Sequence, residues 1–360
     1  MKRTGIILLL SVTASVMLFS CTREDRFDAS YESYEMHTVF NISVASNTKA
    51  QSAAASDTDS QAVYEAEKSN VFIDSNLAFG LVGIDNESKS VMVDDLPVYE
   101  KNGVRCADLF TSGRSARSMM IDAFYPYVKN VNYHKDGSYV VAFTSEDIKK
   151  GPLASDEVIL KCDNGFETVN LNFHHIANSL GFKVCDVTED EQLQGLIHIR
   201  KVVLHGMPNE GMYVSNGDDS YWVPNAKHEN ILIFQGDEYV GNGIGNASFI
   251  STDRLTGDKE GCSRCIVVPE VLTEGRHYVE VIFDVDEFDY DGTHYRAVSG
   301  KSQKISLAGI IPDNMFEMGL QYTFVLGMDL GNIYRTIEFS ASVEDWSDSL
   351  NGRVLEFDNE

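Results

Sequence analysis

Several stretches of the chain combine residue types that could do chemistry. His174-His175 offers two neighbouring imidazoles. Adjacent strand residues point to opposite faces, so the two rings cannot close on one metal ion as a simple pair. The pair reads instead as one histidine at a strand edge or packed at a domain junction. Cys262-Ser-Arg-Cys265 is a CxxC, yet it lacks the second CxxC or histidine pair of a zinc site and the βαβ surroundings of a redox motif. It reads as a local disulfide or two free thiols. Asp284–Gly292 (DVDEFDYDG) is dense in carboxylates, but the register that places Glu287, Asp289, Asp291 and Gly292 puts Val298 where an EF-hand needs its bidentate glutamate. An acidic hairpin tip is the reading. Gly241-Asn242-Gly243-Ile244-Gly245 does not have dinucleotide spacing and reads as a loop. The sequence contains no GxSxG, HExxH or P-loop. The expectation is a protein without catalytic residues, cofactor or metal, and not an enzyme.

One cysteine has a clear chemical setting. Cys21 ends Ile6–Cys21 (IILLLSVTASVMLFSC), which Lys2 and Arg3 precede. A basic start, a short apolar run and a small residue before the cut make a secretory signal peptide over Met1–Ser20. The apolar run, about 15 residues, falls short of the roughly 20 that a spanning helix needs. Leu-x-Ser-Cys resembles a bacterial lipobox, in which Cys21 would be acylated and become the first residue. The polar stretch Thr22–Tyr34 (TREDRFDASYESY) would then tether the chain to a membrane. Glu24 and Asp25 behind the cysteine resemble the acidic export signal of surface lipoproteins.

Charge narrows the function classes. The 360-residue chain carries 29 Lys+Arg against 55 Asp+Glu, a net charge of −26. Loss of Lys2 and Arg3 with the signal peptide takes it to about −28. A chain this acidic, with no basic stripe, repels a phosphate backbone, which excludes nucleic acid as a partner. Six cysteines at 21, 106, 162, 185, 262 and 265 are too sparse and scattered for a disulfide scaffold.

The elements that position these residues read as strands. Phe40-Asn41-Ile42-Ser43-Val44 alternates apolar and polar, the period of a half-buried strand. It stops at Ser46–Ala50, and Gln51–Ala62 (QSAAASDTDSQA) has almost nothing to bury, as in a protease-accessible linker. Lys49 stands at the entrance to that linker. Strands are predicted at 77–84, 120–127, 156–161, 197–204, 231–234, 265–268, 278–284 and 322–328. Val169, Leu171 and Phe173, then Leu180, Phe182 and Val184, mark two strands around His174–Ser179. In the last strand Ile337, Phe339, Ala341 and Val343 alternate with Glu338, Ser340, Ser342 and Glu344, and Trp346 closes it. Short helices are predicted near 112–119 and 186–193. Many strands with frequent turn signals, and no strand–helix alternation, indicate an all-β sandwich protein.

Taken together, the lipobox, the Thr48-Lys49-Ala50 site after the first strand, Asp122–Pro126, Val169–Val184, Ile266–Pro269 before Glu270, and Gly319–Tyr322 through Trp346 resemble the fimbrillin family, the type V pilins and their Mfa-like relatives. The resemblance implies two tandem transthyretin-like β-sandwich domains, with a first unit at 21–167 and a second at 168–360. It also implies export as a lipoprotein to the outer membrane and cell surface. A trypsin-like protease would then remove the first strand (Phe40, Ile42, Val44), with Lys49 as the cut and Arg23 and Arg26 as runners-up that would free the lipid without removing the strand.

A strand from a neighbouring subunit would fill the groove by β-augmentation, which satisfies its unpaired backbone groups. In this chain Val354, Leu355 and Phe357 are the candidate donor residues. The partners implied are other fimbrial subunits, the outer membrane through the lipid, and a host or bacterial surface ligand. The alternative is a permanently lipid-anchored surface protein, either a fimbrial anchor or a glycan- or host-binding adhesin, that keeps Cys21 and its first strand.

Overall fold

The computed structural model of the protein describes residues 33–44, 78–101, 104–112, 118–161, 167–189, 195–217, 219–240, 247–250, 264–288, 294–330 and 338–345. Apolar runs broken by turn residues form strands almost throughout. The first half contributes β1 (Ser33–Val44), β2 (Phe79–Asp85), β3 (Val91–Val98), β4 (Glu100–Lys101), β5 (Val104–Ser112), β6 (Ser118–Tyr125), β7 (Asn132–Tyr133), β8 (Tyr139–Phe143), β9 (Leu153–Ser155), β10 (Val158–Lys161) and β11 (Glu167–His175). The second contributes β12 (Asn178–Asp186), β13 (Gly195–Pro208), β14 (Gly211–Ser215), β15 (Tyr221–Pro224), β16 (His228–Tyr239), β17 (Ser248–Phe249), β18 (Arg264–Val267), β19 (Tyr278–Phe288), β20 (His294–Ser306), β21 (Leu320–Met328) and β22 (Glu338–Asp345). The all-β expectation holds.

These strands make four sheets. The first has nine strands in the order β3-β2-β6-β9-β11-β1-β5-β4, with β10 also paired to β6. The second is β15-β14-β8-β7, the third is β17-β12-β21-β22 with β18 on β12, and the fourth is β16-β13-β19-β20. Three cores follow. Phe40, Phe79, Leu81, Ile121, Leu171 and Phe173 all come from the first sheet, so that sheet curls around its own interior. A second core lies between that sheet and the second, and holds Val82, Phe124, Tyr139, Phe143, Tyr213 and Trp222. The third and largest fills the space between the third and fourth sheets, around Phe182, Ile199, Val281, Phe283 and Phe324.

β6 shows how sequence produces this layering. Met119, Ile121, Ala123 and Tyr125 face the first core, while Phe124 faces the second. A strand covered on both faces loses the simple apolar–polar alternation. Beside it, Gly80 of β2 lies opposite Phe124, and a Cβ there would overlap the Phe124 ring, so the aromatic packs flat on bare backbone.

The chain's halves interlock. β11 runs parallel to β1 in the first sheet, so the strand read as opening the second unit pairs with the chain's first described strand. The hairpin β14–β15 also crosses over: β14 pairs antiparallel with β8, and the Trp222 indole N–H donates to the Ile176 carbonyl. Burying a large aromatic this way contributes on the order of 1.5–3 kcal/mol.

The short helices expected near 112–119 and 186–193 are corrected at their described ends. Ser112 ends β5, Ser118 begins β6, and Asp186 ends β12 with no helix over 187–189; residues 113–117 and 190–193 lie outside the described residues. The α-helix among the described residues is α1 (Ser145–Ile148). Its signal is the capping box at Thr144 and Asp147, where each side chain serves the other's backbone N–H.

Candidate functional site

β1 is the candidate site. Its residues alternate, and so does its burial: Thr38 and Phe40 are buried, Val39 is half-buried and Asn41 is exposed. Ser33–Phe40 pairs antiparallel with Ser112–Arg105 of β5, and Thr38–Val44 pairs parallel with Glu167–Phe173 of β11. Over Thr38–Phe40 the strand is paired on both sides, and it is the link between β11 and β5 in the sheet. Without it, the first sheet would part into two pieces with unpaired backbone edges along the break.

Side chains fix the strand's seat. The Phe40 ring meets Phe79 edge-on at 5.9 Å between centroids, and Phe79 meets Phe173 at 5.7 Å. The Arg105 guanidinium sits 5.9 Å over the Phe79 ring and 3.5 Å from Glu100. Its burial pushes the Arg105 pKa down, against the pull of Glu100. Thr38 is fully buried, and among the described residues its hydroxyl finds no hydrogen-bond partner. A buried hydroxyl left unmet costs about 1–3 kcal/mol. On the outer face Asn41 donates to Asn170 at 3.0 Å.

Of the sequence-derived site residues, Phe40 is placed in the core, and Ile42 and Val44 lie on β1 opposite Leu171 and Phe173 in register. Cys21, Arg23, Arg26, Lys49, Val354, Leu355 and Phe357 lie outside the described residues, as do Trp346, Cys262 and the glycine run at 241–245.

The histidine pair separates as strand geometry requires. His174 Nε2 lies 2.8 Å from Asp156 Oδ1 on the outer face, and His175 is buried. Cys265 is buried in β18, and burial pushes its thiol up to about 12, which keeps it unreactive at neutral pH.

The acidic run calls for a correction. Asp284 and Asp286 do not stand at a hairpin tip; they are buried on β19, 4% and 6% exposed. Arg200 on β13 holds Asp284 through Nε at 2.5 Å and Asp237 through a terminal nitrogen at 2.6 Å. His198 Nδ1 lies 2.9 Å from Asp237, and its Nε2 lies 3.0 Å from Asp286. The sequence signal was His198-Ile-Arg200, which puts an imidazole and a guanidinium on one strand beside two aspartates spaced alike.

His228, Glu270 and His277 bring ligand-type atoms within 4.8 Å of one another, the spacing a metal ion would need. The donor set argues otherwise. His277 Nδ1 accepts from the Thr273 N–H, so its Nε2 carries the proton that Glu270 receives at 3.1 Å. Arg276 also donates to Glu270 at 2.6 Å. Burial raises the Glu270 pKa, but the hydrogen bonds from His277 and Arg276 outweigh it and hold the carboxyl below its usual range. The cluster works as a hydrogen-bonded clasp between the start of β16 and the loop before β19.

No protein-family model matches the chain, and no curated protein matches it in sequence. Solved structures do share its fold. A fimbrial protein from Bacteroides vulgatus superposes with a TM-score of 0.57 at 11% identity, covering 86% of this chain and 99% of that one. A candidate cell adhesion protein from Parabacteroides distasonis gives a TM-score of 0.51 at 9% identity, covering 88% and 98%.

Proposed function

We propose that the chain is a structural subunit of a cell-surface fimbria, in the stalk, at the tip or as an accessory, and that it supports adhesion. On this reading it is exported as a lipoprotein on Cys21, and its partners are other fimbrial subunits, the outer membrane through that lipid, and a host or bacterial surface ligand. Assembly follows when cutting after Lys49 releases β1 and a strand from another subunit takes its place. The two pairs of sheets would be the family's two tandem transthyretin-like sandwiches.

The observation that carries the reading is the seat of β1. It bridges β11 and β5 in the first sheet and inserts Phe40 into that sheet's core. Its removal leaves a slot that only another strand can fill, because the exposed N–H and C=O groups need ladder partners and the Phe40 site needs an apolar side chain. The likeness in fold to a fimbrial protein supports it. The residues for donation are Val354, Leu355 and Phe357, and the cut at Arg23 or Arg26 would leave β1 in place.

The test is Lys49→Ala beside Lys49→Arg in cells that display the protein. The alanine variant is expected to reach the surface and form no fibres, while the arginine variant, still a tryptic site, assembles. Fibres from Lys49→Ala at the wild-type level would refute the cut. A surface protein that keeps β1 and its lipid would then be the permanently anchored alternative, an anchor or adhesin.

A further inference from the structure

We propose that His228 is a proton-governed latch on the crossing by which the chain passes from the second sheet to the fourth. β15 ends at Pro224 and β16 begins at His228, so the crossing is Asn225-Ala226-Lys227. It leads from one pair of sheets into the other.

Both ring nitrogens of His228 face acceptors. Nδ1 lies 2.8 Å from the Ala226 carbonyl oxygen, and Nε2 lies 3.0 Å from Glu270 Oε1. A carbonyl has no proton to give, so Nδ1 is the donor there. At the other side burial works against an ionised Glu270, but the hydrogen bonds from His277 at 3.1 Å and Arg276 at 2.6 Å outweigh it and keep the carboxyl ionised, an acceptor only. A neutral imidazole carries one N–H. Either neutral tautomer would therefore turn a nitrogen lone pair on an oxygen, at Ala226 or at Glu270. The imidazolium serves both.

The Glu270 end of the latch is anchored. Its backbone carbonyl accepts from the Phe316 N–H at 3.1 Å, and the Leu272 N–H donates to the Asn314 carbonyl at 2.6 Å. Val268, two residues before it, packs in the second core with Trp222 of β15. The crossing has its own tie at the front: the Asn225 N–H donates to the Glu210 carbonyl at 3.0 Å, and its side-chain amide to the Glu210 carboxylate at 3.1 Å. His228 ties the back.

The other charged groups around the ring are engaged elsewhere. Lys227 pairs with Glu229 at 2.6 Å, and Glu229 also takes the Asn209 amide at 2.7 Å and feels Lys149 of α1. Arg276 shares Glu270 Oε1 with His228. The His277 ring stands edge-on to His228, 6.3 Å between centroids, with its proton on the Glu270 side.

An imidazole changes charge between about pH 5 and 8. These contacts favour the protonated ring, so the latch is closed at low pH and opens as pH rises through that window. The crossing is then pinned at both ends in acid and at its front end in alkali.

Hydrogen exchange of the full chain, read by mass spectrometry on the peptide that spans residues 225–229, tests the latch at about pH 5.5 and about pH 8. After correction for the intrinsic rate, exchange there is expected to be several-fold faster at the higher pH, with residues 197–204 of β13 unchanged. His228→Gln keeps an N–H for Glu270 without a charge, and should exchange alike at both pH values. Its melting temperature should fall below that of wild type at the lower pH and match it at the higher. Equal corrected exchange at both pH values in wild type, or a pH dependence that persists in His228→Gln, would overturn the proposal. Added Zn²⁺ that raises the melting temperature of wild type and not of His228→Gln would overturn it too, in favour of a metal centre.

Discussion

Phe40 meets Phe79 edge-on, ring planes at 84° and centroids 5.9 Å apart, and through that contact the chain's first described strand is keyed into the core of its sheet. Phe79 is fully buried and passes the contact on to Phe173 of β11. On the proposed route, a strand released by a cut at Lys49 would take this key with it.

The first prediction is energetic. Phe40→Ala in the uncut chain removes a buried ring and leaves a cavity, at a cost of about 3–5 kcal/mol. Denaturant unfolding of the precursor measures it. A loss below about 1 kcal/mol would mean that the core closes without the ring, and that β1 is not held by this contact.

A second prediction concerns exposure. Cys106 of β5 lies directly opposite Val39 of β1 and is half-buried. Removing β1 uncovers it. Alkylation followed by peptide mapping should show Cys106 reacting faster in the cut, unassembled chain than in the precursor, and slowly again in fibres. Cys265 should stay unlabelled throughout, since burial holds its thiol near 12. Equal Cys106 rates in precursor and cut chain would place β1 still in its seat.

A third concerns pH. Burial holds Asp122 at about 6 in the fold, against 3.8 for the ordinary carboxyl. The fold binds the proton more tightly than the unfolded chain does, so this stabilisation is full below the unfolded value and is lost as pH rises through about 6. Carboxyls held low by their partners, Glu270 and Glu280 among them, slope the other way: their stabilisation is present at higher pH and lost as pH falls. Comparing wild type with Asp122→Asn isolates the first effect. The asparagine variant should gain on wild type as pH rises from about 4 to 7, by thermal unfolding. A difference that stays constant with pH would contradict the assignment.

How much of this was legible in the sequence follows from what each signal depends on. β1 and β22 were readable because their apolar and polar residues alternate at the strand period. α1 was announced by its capping box, yet one turn carries no helical period. Asp284 and Asp286 were misread because carboxylates in such a run look solvated until β19 is laid beside His198 and Arg200 of β13. Asp122 sits in a row covered on both sides, where nothing local marks the hydrogen bonds it takes from Ser155 and Ser215 of other strands. The hairpin β14–β15 joins β8, some 70 residues upstream, and no local pattern encodes that partner.

The N-terminus of the protein in assembled fibres tests the account most directly, read by mass spectrometry of fibres sheared from the cell surface. The account predicts a chain that starts at Ala50, with β1 and the acylated Cys21 absent. Fibres whose subunits all retain Cys21 and Phe40 would contradict it.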